Sequence, residues 1–242
     1  MLKNKVCAIK SFALLLAFGT AHHAVAQGFA KKYTKMAPVD QYLMADRAAE
    51  IALARSAAPK SISGDAQVQV LGRHGFETAV KGKNGFVCIV GRGWSSAADA
   101  DYWNPKVRVP ICLNAAAART YFLRVTKITD LALAGRTLAQ VNDAIAAALD
   151  KKELPPMEPG AMCYMMSKQG YGGDVAPHWP SHLMFFYSDA DPTIWGGNLP
   201  GSPVIAIADP LEHLTQFVIP VHQWSDGTKA GKPNSGKDGK GQ

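Results

Sequence analysis

The sequence predicts an α+β fold, with an antiparallel sheet and three main helices in a single compact domain. Three observations predict it. Hydrophobic residues make up 48% of the 242-residue chain and charged residues 19%, an ordinary globular balance. Apolar periods of two and of 3.6 residues fall in separate blocks instead of alternating, which favours α+β over a βαβ array. No repeat of about 20–50 residues divides the chain into modules. At this length a chain buries roughly 70% of its unfolded surface, so its core does not depend on a disulfide framework.

Residues 1–26 read as a secretory signal peptide. Lys3, Lys5 and Lys10 form a positive start, Ser11 to Phe18 a short apolar run, and Ala24-Val25-Ala26 a small-residue cleavage site before Gln27. The apolar run is shorter than the roughly 20 residues a membrane span needs. The expectation is a periplasmic or secreted protein with no membrane span after cleavage. The formal charge of +7 falls to +4 without the three leader lysines. Part of the rest sits in a Gly/Lys-rich segment, 226–242, which has nothing to bury and reads as a flexible tail. That leaves the folded body near +2, so the charge does not argue for nucleic-acid binding, which would want a basic stripe on a folded face, and no nucleic-acid partner is expected.

Residues 27–60 are a lead-in and a first helix. Pro38 suits a first turn. Met44, Ala48, Ile51 and Ala52 then recur at helical spacing, opposite Asp46, Arg47 and Glu50. Residues 61–225 form the α+β domain on which this helix packs. Val68 and Val70, then Phe76, Thr78 and Val80, alternate with polar residues as strands do, and Phe86–Val90 is a largely buried strand. Asn84-Gly85 is a hairpin signal, because both residues accept positive φ. An irregular, aromatic stretch follows to Pro110, and then a short apolar piece, Ile111-Cys112-Leu113. A helix runs from Ala115 to about Leu133, and Gly135 ends it. A second opens on Thr137 and Gln140 at capping-box spacing, with Leu138, Val141, Ile145 and Leu149 on one face. The remaining strands are expected at Ala161–Met166, His182–Tyr187, Val204–Ala208 and Phe217–His222.

Several segments carry a resemblance: Asn84–Cys88 (NGFVC), Pro110–Asn114 (PICLN), Pro159–Gln169 (PGAMCYMMSKQ), His178–Phe186 (HWPSHLMFF), Trp195–Pro203 (WGGNLPGSP) and Trp224–Gly227 (WSDG). Across residues 62–228 the chain resembles a family of secreted bacterial proteins to which no activity is assigned. The resemblance implies export and transfers no catalytic residue.

The candidate chemistry centres on Asp174, His178 and His182. Histidines four apart share a helix face and can bind one metal, but Pro180 forbids that helix. In an extended strand they lie roughly 13 Å apart, too far to share an ion. Only a tight turn at Pro180 brings both imidazoles together. His178 and His182 are thus the candidate metal ligands. No cofactor is predicted, and a divalent metal is the one that this pair admits. The loop aromatics Trp94, Trp103, Trp179 and Trp195 are candidate ligand-binding residues, since aromatics on loops can line a pocket. Ser167-Lys168 lacks the Ser-x-x-Lys spacing of a helical dyad and reads as a polar strand end. Export leaves three cysteines in an oxidising compartment. Cys88 and Cys112 are expected to pair and Cys163 to remain a buried thiol. The leading functional expectation is a non-catalytic envelope or secreted module that binds a small ligand or an envelope protein through its loop aromatics. The alternative is a hydrolase, with or without a metal, centred on Asp174, His178 and His182.

Overall fold

The computed structural model describes residues 32–95 and 99–231. The expected signal peptide and the chain from Lys232 lie outside the described residues. Eight strands form one sheet: β1 (Gln67–Gly72), β2 (Gly75–Val80), β3 (Val87–Gly91), β4 (Val109–Leu113), β5 (Met162–Met165), β6 (His182–Tyr187), β7 (Ile205–Asp209) and β8 (Leu214–Pro220). Their spatial order is β2-β1-β3-β4-β5-β6-β8-β7.

The helices are α1 (Arg47–Arg55), α2 (Lys60–Ser63), α3 (Ala115–Arg119), α4 (Tyr121–Leu133) and α5 (Leu138–Asp150). Three of them, α1, α4 and α5, are the main ones. The first does not start at Pro38, which opens only a single 3-10 turn, Val39–Gln41. It starts after Asp46, whose carboxylate accepts from the backbone N–H of Ala48 and Ala49. The helix expected over 115–133 breaks at Thr120, whose φ of −126° and ψ of −71° leave the helical region. The α4 C-terminus follows the sequence: Gly135 takes φ +73°, and the N–H of Arg136 reaches back to the carbonyl of Leu131. At α5, Thr137 and Gln140 form a reciprocal capping box.

The sheet is mixed and not purely antiparallel. Every neighbouring pair is antiparallel except β1 and β3, which run parallel. The hairpin falls at Arg73-His74, where Gly72 faces Gly75, and not at Asn84-Gly85. Residues 81–86 instead carry the chain across the start of β1, so that β3 joins its far side. The N–H of Gln67 donates to Phe86 and that of Lys83 to Asp65. At Gly82 a Cβ would lie 2.2 Å from the Gln67 nitrogen, so this crossing requires glycine. The Asn84 side chain holds the bend by donating to the Ile62 carbonyl and accepting from Phe86 N–H.

Strand alternation gives the sheet two buried faces. On one, Val68, Val70, Cys88, Val90 and Cys112 meet Ala54 and Ile51 of α1. On the other, Ile89, Ile111, Cys163, Met184 and Phe186 meet Ala117 of α3 and Val125 of α4. Tyr121 stacks on Phe186 with centroids 4.0 Å apart. Cys88 and Cys112 lie directly opposite each other on β3 and β4 and form the expected disulfide. Arg92, just past β3, is fully buried. It donates to Glu50 of α1 at 2.7 Å and to the carbonyls of Tyr42 and Val90, tying the lead-in and α1 to the sheet.

Candidate functional site

The antiparallel pairing brings the start of β4, the end of β5 and the start of β6 to one end of the sheet. A cleft of about 340 Å³ opens there. Val109, Pro110 and Met165 form its apolar floor, and Ser167, Lys168 and Tyr171 continue from β5. His178 and Trp179 approach from the loop before β6, His182 from the first position of β6, and Trp224 from the turn after β8. A second depression, on the α1 side of the sheet, is more open and has no tryptophan in its lining.

The loop from Gly170 to Pro180 is built onto the sheet and buried groups. Tyr171 exchanges both backbone hydrogen bonds with Arg108, extending the β4–β5 ladder by one bridge. The fully buried carboxylate of Asp101 accepts from the N–H groups of Asp174 and Val175 and from the Asn104 amide. Gly173 sits against that carboxylate at φ +125°, where a Cβ would come within 2.4 Å of it. At Gly172 a Cβ would lie 2.8 Å from Trp179 Nε1, so the indole rests on the loop backbone. Trp224 is held by backbone bonds from its own N–H to Thr228 and from Ser225 to Met166.

His182 is the buried polar group of the cleft. Its Nδ1 lies 2.7 Å from the Pro180 carbonyl, which can only accept, so Nδ1 carries the proton and Nε2 keeps its lone pair. Burial lowers its pKa and keeps the ring neutral. Lys168 pairs with Asp226 at 2.7 Å, both side chains being substantially exposed. That pair, with the Asp226–Thr228 turn and the bond from Ala230 N–H to His222, keeps residues 226–230 on the fold. Residues 226–230 of the segment expected to be flexible are thus hydrogen-bonded to the fold. Ser167 Oγ shares a 2.6 Å hydrogen bond with Ser56 at the end of α1 and accepts from Gln169 N–H.

The structure brings His178 and His182 to the same cleft and leaves Asp174 outside its lining. One Asp174 oxygen accepts from Lys32 at 2.8 Å and Tyr33 at 3.0 Å, the other from the Tyr171 hydroxyl. The Lys32, Tyr171 and Tyr33 hydrogen bonds hold its carboxyl well below the usual carboxylate range, and Tyr171 in turn is pushed up to about 12. Among the described residues, no group of three or more His, Cys, Asp or Glu is arranged to hold a metal ion.

The candidate tryptophans are dispersed. Trp179 lines the cleft. Trp94 and Trp103 are interior residues, 5% and 8% exposed. Trp94 donates to Thr129 of α4, and Trp103 packs edge-on to Tyr102. Trp195 stacks on Phe217, beside Phe185 and Tyr187. Burial raises the pKa of the Cys163 thiol, which suits packing and not nucleophilic attack. Trp224 is the cleft tryptophan that sequence reasoning left out of the candidate ligand-binding residues. No family model, curated protein or solved structure matches the chain.

Proposed function

We propose that the chain is an exported, non-catalytic binding protein that holds a small, flat ligand in the cleft lined by Trp179 and Trp224. The observation that carries this reading is the lining itself. Two indoles and an apolar floor of Val109, Pro110 and Met165 surround a few polar groups on Lys168, Tyr171 and His182, the usual composition of a small-molecule site. The cleft walls are fixed by backbone ladders and a buried carboxylate, so a ligand meets a largely pre-formed surface. Export is supported by the Cys88–Cys112 bridge, since such bonds persist in oxidising compartments. No helix among the described residues is long and apolar enough to cross a membrane.

A hydrolytic reading centred on Asp174, His178 and His182 has less support. Asp174 spends both carboxylate oxygens on Lys32, Tyr33 and Tyr171, and its depressed pKa makes it a poor proton donor. The binding reading is tested by screening the purified protein against a library of small aromatic fragments by ligand-observed NMR. Fragments that compete with one another and are lost in Trp224→Ala, with the melting temperature unchanged, are expected. Hits that ignore both Trp179→Ala and Trp224→Ala would move the site elsewhere.

A further inference from the structure

We infer that the cleft prefers an anion on a flat apolar body, such as an aromatic carboxylate, and that Lys168 exchanges Asp226 for that anion when the ligand enters. The inference rests on the binding reading above and adds the charge of the ligand to it.

Charge is distributed unevenly around the cleft. Its lining includes Lys168, His178 and His182, and none of the described residues that line it is acidic. The two carboxylates nearest in the network, Asp174 and Asp226, are set one residue back, behind Tyr171 and Lys168. Asp174 is already neutralised by Lys32. The cation that reaches the lining is therefore Lys168. An ammonium carries its charge on a flexible four-carbon stem and can change partner without backbone movement.

Its present partner offers little resistance. The Lys168 and Asp226 side chains are 43% and 53% exposed, and a solvent-exposed pair of this kind contributes little to stability. Asp226 does not depend on the lysine, because it also accepts from the Thr228 hydroxyl and N–H. Leaving it costs neither a buried charge nor an unsatisfied acceptor. In the cleft, the same ammonium would meet a ligand carboxylate beside indole and apolar walls, where the lower dielectric strengthens the attraction. The flat body is set by Trp179 and Trp224, whose faces favour aromatic partners.

Isothermal titration of the full mature chain with 2-naphthoate and with its neutral isostere 2-naphthamide tests the inference. The expected result is naphthoate binding about tenfold tighter than the amide, the equivalent of one charge-assisted hydrogen bond. Lys168→Met should abolish that preference, weakening naphthoate more than the amide. Asp226→Asn, which removes the competing carboxylate, should tighten naphthoate severalfold and leave the amide unchanged. Amide binding equal to or tighter than naphthoate binding would overturn the inference while keeping the cleft as a neutral-ligand site. Binding of neither probe would overturn both. A preference for naphthoate that survives Lys168→Met would assign the anion to another cation and refute the exchange.

Discussion

Replacing Asp101 with Asn isolates the device that holds the cleft wall. The change preserves volume but turns one carboxylate oxygen into an NH2 donor. One oxygen accepts from Asp174 N–H and the Asn104 amide, and the other from Val175 N–H, so either amide orientation sets donor against donor. A hydrogen bond to a charged acceptor contributes about 1.5–3 kcal/mol, and at least one is lost. The freed N–H belongs to an exposed residue, so water can reach it after a local opening, and the loss should fall on the loop more than on the whole fold. Lowering the opening free energy of the loop by about 1.5–3 kcal/mol corresponds to roughly 10- to 150-fold faster amide exchange. Hydrogen–deuterium exchange read at Asp174 and Val175 is the assay, with the amides of β3 and β4 as internal controls. Gly173→Ala should act similarly, since its Cβ would press on the same carboxylate. Exchange at residues 174 and 175 that stays within about twofold of wild type in Asp101→Asn would refute the argument that this carboxylate holds the loop.

Four further outcomes follow from the geometry. Glu50→Ala leaves Arg92 buried without its counter-charge and should cost about 3–5 kcal/mol in urea unfolding, whereas the apolar pair Glu50→Leu with Arg92→Met should recover only part of it, because Leu71 N–H and the Tyr42 carbonyl then lose their partners. The 24-residue separation of Cys88 and Cys112 gives about 3–4 kcal/mol by loop entropy, so Cys88→Ala with Cys112→Ala should lower the urea midpoint accordingly. The neutral, buried His182 has a depressed folded-state pKa, so the unfolded chain binds its proton first and stability should fall as pH drops below about 6.5. His182→Gln should flatten that part of the urea-midpoint profile. Asn198 pairs its side-chain amide with both the N–H and C=O of Ala206 on edge strand β7, whose Ile205 and Ile207 are exposed. Asn198→Ala frees that edge and should increase concentration-dependent association over the wild type by light scattering.

The parts of the fold legible in the sequence were those written locally. The Thr137/Gln140 capping box, the Gly135 stop and the positions of β5, β6 and β8 depend on residues a few positions apart. The main failure is a case where a distant partner decides, whereas the start of α1 at Asp46 is set by a local cap. Asn84-Gly85 has the chemistry of a hairpin, but β3 pairs in parallel with the other edge of β1, and the Asn84 side chain is spent on Ile62 and Phe86. The burial of Arg92 likewise depends on Glu50, 42 residues earlier, which supplies its counter-charge. The same limit applies to the site. His178, Trp179 and His182 are close in sequence, but the opposite wall of their cleft comes from Lys168 and Trp224.

This long-range assembly bears on how the protein can work. The cleft lies at the seam where β4, β5 and β6 end, and three separate segments meet there: the loop held by Asp101, the β5 extension held by Ser56, and the β8 turn held by Met166. The loop is anchored through Asp101, whereas the β5 extension and the β8 turn are tied to each other by the bond from Ser225 N–H to Met166, so those two keep their shape together. Flexible side chains, Lys168 above all, remain free to adjust on that rigid frame. A binding site of this construction gains affinity from a surface organised before the ligand arrives, and selects by the few polar groups that can still turn toward it.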